Sequence, residues 1–148
     1  MSELPRVIIY SDGACDPNPG PGGWAAILKF RDKEKILKGS VSHSTNNRME
    51  LTAAIRALQT LKTPCQVEII TDSQYLKLGI TKWLPSWRAR NWRRKGGKLA
   101  NVDLWQELEK AIQPHEISWR WIRGHAGDPL NQRVDLLARQ AIHQGDTQ

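Results

Sequence analysis

The chain has 148 residues, 39% of them hydrophobic and 25% charged, which fits one soluble globular domain spanning residues 1–148 and excludes a disordered or membrane-embedded chain. The amino terminus carries no secretory signal, and the two cysteines, Cys15 and Cys65, match no metal-finger spacing or disulfide framework, so we expect a cytoplasmic protein with free thiols. The formal net charge is +7, from 22 basic and 15 acidic residues, which favours a polyanionic partner.

The first third of the chain has the hydrophobic runs and turn residues of three strands. The first predicted strand, Arg6–Ser11, ends at the turn signal Asp12-Gly13. A glycine- and proline-rich loop is predicted for Asp16–Gly23, and two strands follow, Trp24–Phe30 and Ile36–Val41. Because only a short charged turn separates these two strands, we predict an antiparallel meander.

The hydrophobic residues of the next segment recur every three or four positions. Asn47–Leu61 is therefore the clearest predicted helix, and a strand, Gln66–Thr71, follows it. Asp72-Ser73 predicts the cap of a short helix from Tyr75 to Leu78. The long helical crossover allows the first and fourth strands to be parallel neighbours.

Seven basic residues lie between positions 82 and 98 with no acidic residue among them, and the other 15 basic residues balance the 15 acidic ones. We name residues 82–98 the basic segment; its cations are Lys82, Arg88, Arg90, Arg93, Arg94, Lys95 and Lys98. Tryptophans at positions 83, 87 and 92 favour phosphate contact combined with stacking on bases or sugars. The alternative is that they are core residues beside a solvated charged face, and the helical spacing of Trp83 and Trp87 predicts that at least one is buried.

The last third of the chain alternates helix and strand. A helix is predicted for Asn101–Gln113, a strand for Ile117–Ile122, a loop for Gly124–Pro129 and a helix for Leu130–His143, before a frayed tail over Gln144–Gln148. Strands followed by helices mixed with further strands predict an α/β fold, with a mixed sheet flanked by helices.

Four carboxylates fall where such a sheet would bring them together. Asp12 and Asp72 follow the first and fourth strands, and sites of α/β sheets collect at the carboxyl ends of strands. Glu50 in the crossover helix and Asp135 in the last helix could lean over the same edge. Because clustered carboxylates repel one another unless cations neutralise them, and oxygen ligands favour Mg²⁺ or Mn²⁺ over zinc, we predict a divalent-metal site. Two such ions would suit in-line hydrolysis of a phosphodiester.

Each of these carboxylates also has an ordinary structural explanation. Asp12 would only make a turn, Asp72 would only cap the next helix, and Glu50 would bond backbone in a capping box at the start of its own helix. Asp135 would pair with Arg139 four residues on. Single residues therefore decide nothing, and the prediction depends on their grouping.

His125 lies between Gly124 and Ala126 in the predicted loop. An exposed histidine without function is the usual case in such a loop. Near a metal site, however, a histidine that titrates close to neutral pH could move protons during attack or product departure.

Six motifs together resemble bacterial type 1 ribonuclease H over nearly the whole chain. They are Ser11-Asp12-Gly13, Asn18 to Trp24, Thr45 to Leu51, Thr71 to Tyr75, Asn101 to Trp105, and Gly124 to Gly127 with Asn131 and Asp135. Any one of them could occur by chance, whereas their order and spacing are highly specific.

This resemblance implies a ribonuclease H-like fold, with a five-stranded mixed sheet of three antiparallel and then parallel strands flanked by helices. It implies endonucleolytic hydrolysis of the RNA strand of RNA–DNA hybrids with two Mg²⁺ ions, or Mn²⁺ as a substitute, leaving 3′-hydroxyl and 5′-phosphate ends. The implied metal ligands are Asp12, Glu50, Asp72 and Asp135, with His125 assisting proton transfer or product release.

The resemblance also implies which residues bind the substrate. Cys15, Asn18, Asn46 and Gln74 would line the RNA strand, where the 2′-hydroxyl separates RNA from DNA. Thr45 would bind a DNA-strand phosphate, and Asn131 would support the metal site. Trp83 and the basic segment, as the family's basic protrusion, would contact the DNA side.

Three features depart from the family's pattern. The basic segment is slightly short and contains Gly96-Gly97, His43 stands where some relatives have arginine, and Leu136-Leu137 follows Asp135. Two other functions stay open: a non-catalytic hybrid-binding module, and a related metal nuclease such as a junction resolvase or the nuclease domain of a reverse transcriptase. We expect a monomeric, free-standing enzyme.

Overall fold

The computed structural model describes residues 3–92, 100–123 and 128–144. Its strands are β1 (Arg6–Cys15), β2 (Gly20–Phe30), β3 (Lys33–Ser44), β4 (Gln66–Thr71) and β5 (Glu116–Trp121). Its helices are α1 (Asn46–Thr60), α2 (Gln74–Leu78), α3 (Leu84–Ala89), α4 (Val102–Ile112) and α5 (Pro129–Ile142), with a π-helical turn, Gly79–Trp83, between α2 and α3. Within these ranges, no helix combines the length and apolarity that crossing a bilayer requires.

The five strands form one mixed sheet in the order β3-β2-β1-β4-β5. β1 to β3 form an antiparallel meander, whereas β4 and β5 run parallel to β1 and to each other. The parallel pairing of β1 with β4 runs from Arg6 opposite Gln66 to Tyr10 opposite Ile70. The predicted fold class, including the parallel neighbours β1 and β4, is confirmed.

The predicted ends of the first three strands are wrong, because all three strands are longer. β1 continues through Asp12-Gly13 to Cys15, and β2 begins at Gly20, inside the predicted loop. β3 covers Lys33–Ser44 rather than Ile36–Val41. The glycines of Asp16–Gly23 favour a loop in the sequence prediction. In the structure Gly22 pairs in the β1–β2 ladder, where it lies opposite Cys15.

One glycine of β2 is needed because a helix passes close to the strand. A Cβ on Gly23 would lie 2.2 Å from the carbonyl oxygen of Ala138 and 2.8 Å from the amide nitrogen of Ile142. Both contacts are with the backbone of α5, which therefore packs directly on the sheet.

The bounds of α1, β4, α4, β5 and α5 follow the sequence prediction more closely than those of the first three strands. The segments 93–99, 124–127 and 145–148 lie outside the described residues.

Side chains of alternate strand residues point to opposite faces of the sheet, where they form two hydrophobic cores. Val7 and Ile9 pack in a large cluster with α1 and with the fully buried Trp105 of α4. Tyr10 and Ile27 pack in a smaller cluster with Val134 of α5. Helices α1 and α5 thus cover opposite faces of β1. Both helices therefore pack on the strand that carries Asp12.

The tryptophans at the start of the basic segment pack against the first of these cores. Trp83 and Trp87 are half-buried, with ring centroids 6.0 Å apart, and both contact Trp105. Neither is fully buried, so the expectation of a buried tryptophan holds only in part. Their partial burial anchors the base of the basic segment to the domain.

We expect Gly23→Ala to destabilise the protein by about 1–3 kcal/mol, because the new methyl group would push α5 away from β2. Urea unfolding followed by circular dichroism measures this change. Ser42→Ala, at an exposed position of β3, is the control and should change the unfolding free energy by less than about 0.5 kcal/mol. Equal stability of Gly23→Ala and the parent would contradict the close approach.

Candidate metal centre

The parallel pair β1 and β4 brings two of the predicted carboxylates to one edge of the sheet. Asp12 lies in β1 two residues beyond Tyr10, the last residue paired with β4, and Asp72 follows directly on Thr71 at the end of β4. Asp12 is buried, with 5% of its surface exposed. Strand pairing therefore places both carboxylates as the sequence predicted.

Glu50 reaches the same edge because α1 crosses very close to β1 at Gly13. A Cβ on Gly13 would lie 2.4 Å from the carbonyl carbon of Met49 and 2.5 Å from the amide nitrogen of Glu50. The Gly13 N–H donates to Glu50 Oε1 and to Asp12 Oδ1, each at 2.9 Å. One backbone amide thus holds two acidic side chains side by side.

The ordinary explanations offered for Glu50 and Asp72 do not hold. α1 is capped by Thr45, whose hydroxyl accepts from the Arg48 N–H at 3.2 Å, and Glu50 bonds β1 instead of its own helix. α2 is capped by Ser73, whose Oγ accepts from the Leu76 N–H at 3.1 Å, rather than by Asp72. Neither carboxylate caps a helix, so both are available to the candidate metal centre.

Asp12, Glu50 and Asp72 form a compact acidic triad. One carboxylate oxygen from each lies within 4.8 Å of those of the other two, a spacing that could hold a divalent cation. Glu50 Oε2 is buried and has no hydrogen-bond partner among the described residues. Since a buried oxygen without a partner is costly, the triad has the vacant acceptor that a hard cation would take.

Asp135 approaches this triad from α5. It borders a cleft of about 230 Å³ that is lined by Asp12, Asp72, Asn131, Gln132, Asp135 and Arg139. Its Oδ2 lies 3.3 Å from Arg139 Nε, so the predicted ion pair exists alongside its place in the cleft. Asn131 is 3% exposed, and its side-chain oxygen has no hydrogen-bond partner in the part of the chain that the structure describes.

The electrostatics of Asp12 and Glu50 favour protonated carboxyl groups when no cation is bound. Burial, and then the nearby charge of Glu50, raise the pKa of Asp12 far above its ordinary range. Burial likewise raises the pKa of Glu50, although hydrogen bonds from Asp12 and the Gly13 amide oppose the shift. A cation that displaced these protons would relieve the same repulsion.

Three of the predicted RNA-binding residues meet beside the triad. The Cys15 N–H donates to Asn46 Oδ1 at 2.6 Å, and the Asn46 N–H donates to Asn18 Oδ1 at 3.1 Å. Gln74 is exposed in the first turn of α2, two residues after Asp72. The structure thus joins the glycine-rich β1–β2 turn to the start of α1.

The basic segment is only partly described. Lys82, Arg88 and Arg90 are exposed, and Arg88 pairs with Glu109 of α4. The segment's other cations, Arg93, Arg94, Lys95 and Lys98, lie outside the described residues, as do Gly96-Gly97 and His125. His43 is exposed on β3, and Leu136 is 55% exposed.

Sequence reasoning missed a polar network beside the basic segment. Arg48 binds both carboxylate oxygens of Asp103, at 3.1 and 2.8 Å, and donates to Asn101 Oδ1 at 3.2 Å. Asn101 Nδ2 and Trp105 Nε1 both donate to the Tyr75 hydroxyl, at 2.9 and 3.0 Å. Arg48 was visible only as one residue of a motif, since its partners lie 53 and 55 positions away.

A second missed link joins β1 to α5. The Tyr10 hydroxyl lies 3.3 Å from Asp128 Oδ2. Burial and then the charge of Asp128 raise the pKa of Tyr10 above its ordinary value, so the phenol keeps its proton at neutral pH and is the donor. No periodicity or motif in the sequence pointed to this pair.

Comparisons with known proteins agree with this geometry. A family model described as RNase H matches residues 5–143. A ribonuclease H of Bradyrhizobium sp. (strain ORS 278) is 57% identical over 143 residues, which are 96% of this chain and 93% of that protein.

Two solved structures are similar to this fold. LC9-RNase H1, described as a type 1 RNase H with the type 2 active-site motif, superposes with a TM-score of 0.89 at 33% identity, over all of this chain and 76% of that one. LC11-RNase H1, solved in complex with an RNA/DNA hybrid, has a TM-score of 0.68 at 21% identity, over 93% of this chain and 97% of that one. The second likeness concerns the fold alone.

We expect Asp12→Asn to stabilise the metal-free protein at pH 7 by about 1–2 kcal/mol, because the neutral amide folds into the buried position without the proton that the Asp12 carboxyl group has to take up there. A carboxyl whose pKa is raised on folding binds more protons in the folded than in the unfolded state. The parent should therefore be most stable below about pH 4, the ordinary carboxyl pKa, and lose stability as the pH rises above it. Urea unfolding in a chelator at several pH values measures both effects.

Asp32→Asn is the matched control, since Asp32 is exposed in the β2–β3 turn, and it should leave the slope of stability against pH unchanged. Saturating Mg²⁺ should flatten the slope of the parent. A slope that is equally steep in Asp12→Asn and the parent would contradict the assignment of the raised pKa values.

Proposed function

Because the chain belongs to the ribonuclease H family, as a bacterial type 1 enzyme, we propose that it is an endonuclease that hydrolyses the RNA strand of RNA–DNA hybrids and leaves 3′-hydroxyl and 5′-phosphate ends. The observation that carries this proposal is the acidic triad of the buried Asp12 with the half-buried Glu50 and Asp72, in which one carboxylate oxygen of each residue lies within 4.8 Å of those of the other two. Such a cluster lowers the stability of a folded protein, so its presence indicates that a function retains it.

The triad and Asp135 are the proposed ligands of Mg²⁺, with Mn²⁺ as a substitute and two ions present when substrate is bound. The unpaired, buried Glu50 Oε2 supports this role, as does the absence of sulfur or imidazole ligands from the triad. When bound, the ions supply an activated water and stabilise the leaving oxygen of the phosphodiester.

The chain's own residues prepare the site in three ways. The Gly13 N–H fixes the orientation of Glu50 Oε1 and Asp12 Oδ1, so neither carboxylate has to be ordered when the ions bind. The raised pKa values of Asp12 and Glu50 make the site store protons that leave as cations enter. His125 is the proposed carrier of a proton during attack or product release.

Recognition of the RNA strand is proposed for the residues around the start of α1. Cys15, Asn18 and Asn46 are linked by hydrogen bonds between backbone and amide groups, which join the β1–β2 turn to the start of α1. Gln74 and Asn131 flank the same edge from α2 and α5. A 2′-hydroxyl, which both donates and accepts, is the group that such a surface would distinguish.

Contact with the DNA strand is proposed for Thr45, Trp83 and the basic segment. At the base of that segment Trp83 and Trp87 pack against Trp105, and its described cations Lys82, Arg88 and Arg90 are exposed. Contacts of cations with phosphates weaken as the salt concentration rises. We further propose that residues 1–148 form a single catalytic domain, that the enzyme is a monomer, and that it acts in the cytoplasm.

The test is Mg²⁺-dependent cleavage of a labelled RNA–DNA hybrid, compared with duplex RNA and duplex DNA of the same sequence. We expect cleavage of the hybrid's RNA strand alone. Asp12→Asn should lower kcat by at least about 100- to 1,000-fold, the scale for removing one transition-state stabiliser, while hybrid binding is retained. Asp32→Asn, which removes the same carboxylate from an exposed turn, should cleave like the parent.

Two outcomes would contradict the proposal. Equal cleavage of all three duplexes would remove the specificity for hybrids. Undetectable cleavage by the parent enzyme together with persistent binding would instead support a non-catalytic hybrid-binding module.

A further inference from the structure

The carboxylate of Asp128 joins the start of α5 to β1. Its Oδ1 accepts from the backbone N–H groups of Leu130 and Asn131, at 3.0 and 3.4 Å, and so caps the helix. Its Oδ2 accepts from the Tyr10 hydroxyl at 3.3 Å, across 118 residues of sequence. One side chain therefore fixes both the conformation of the first turn of α5 and its position on the sheet.

Tyr10 is itself held firmly. It is 9% exposed, and its ring packs with Ile70 of β4 and with Val134 and Ala138 of α5. It also lies in β1 two residues before Asp12, so it shares the face of the strand on which Asp12 projects. The hydroxyl thus connects α5 to the strand that carries the metal centre.

The carboxyl-terminal half of α5 has a separate contact with the sheet. The backbone at Ala138 and Ile142 approaches Gly23 so closely that no Cβ would fit there. Asn131 and Asp135, which line the cleft, lie between that contact and the Asp128 cap. The amino-terminal half also packs through Val134 and pairs through Arg133 with Glu34, and the Tyr10–Asp128 hydrogen bond joins the first turn of α5 to β1.

We propose that Tyr10 is a positioning residue of the metal centre, which acts through Asp128 to hold the amino-terminal half of α5 on β1 so that Asp135 and Asn131 stay at the cleft. This inference rests on the proposed function of the site. Without the link, binding of a cation would have to order the helix start as well, and the affinity would fall by that cost.

The test uses Tyr10→Phe, which keeps the buried ring and removes only the hydroxyl. We expect its dissociation constant for Mn²⁺, measured by calorimetry on the full chain without nucleic acid, to rise roughly threefold to tenfold, the range for one hydrogen bond. The Mg²⁺ concentration for half-maximal hybrid cleavage should rise by a similar factor.

Asp128→Ser gives the second arm, because serine can still cap the helix but is too short to keep the same contact with Tyr10. If Tyr10 acts through Asp128, the variant with both changes should bind Mn²⁺ no more weakly than Asp128→Ser alone. Fully additive losses would overturn the proposal, since Tyr10 would then act by another route.

The matched control is Arg133→Gln, which breaks a different polar contact between α5 and the sheet, the ion pair with Glu34 of β3. It should leave the Mn²⁺ dissociation constant unchanged. A lower melting temperature of Tyr10→Phe with unchanged Mn²⁺ affinity would overturn the proposal, because Tyr10 would be a packing residue only.

Failure of the proposed function is separate from failure of this inference. If the parent protein binds Mn²⁺ but does not cleave hybrids, the proposed function fails while the affinities of the variants still decide the role of Tyr10. If the parent binds no Mn²⁺, the positioning role is overturned directly.

Discussion

The close approach of α1 to β1 at Gly13 is the constraint on which the rest of the site depends. Because glycine leaves room for the helix backbone, the Gly13 N–H can bond Asp12 and Glu50 at once. The parallel pairing of β1 with β4 adds Asp72, and the packing of α5 on the opposite face adds Asp135. The acidic cluster is therefore a product of backbone packing.

This packing creates an electrostatic cost that the chain alone does not remove. Burial, and for Asp12 then the nearby charge of Glu50, raise the pKa values of these two carboxyl groups, so that they retain protons. The described cation at the cleft, Arg139, pairs with Asp135 rather than with Asp12 or Glu50. A divalent ion would neutralise the cluster, which connects the stability of the fold to the chemistry proposed for it.

The sequence was enough for the order of the five strands, the mixed sheet and the meeting of Asp12, Glu50 and Asp72 at one sheet edge, because hydrophobic period and strand-end position are local signals. It did not predict α3 or the π-helical turn before it. It was not enough for the ends of β1 and β2, since glycines that permit close packing resemble glycines that form turns. Nor did it predict that Thr45, rather than a capping box with Glu50, starts α1. The sequence did not predict the hydrogen bonds of Tyr10 with Asp128 and of Arg48 with Asn101, because they join residues far apart in the chain.

The central claim is that the buried acidic cluster holds protons which a divalent cation displaces. The most direct measurement is calorimetry of Mg²⁺ binding at pH 7 in two buffers that differ in ionisation enthalpy, because protons released by the protein are taken up by the buffer. We expect the apparent binding enthalpies to differ between the buffers, with net release of protons. Identical enthalpies, showing that no proton leaves, would contradict it.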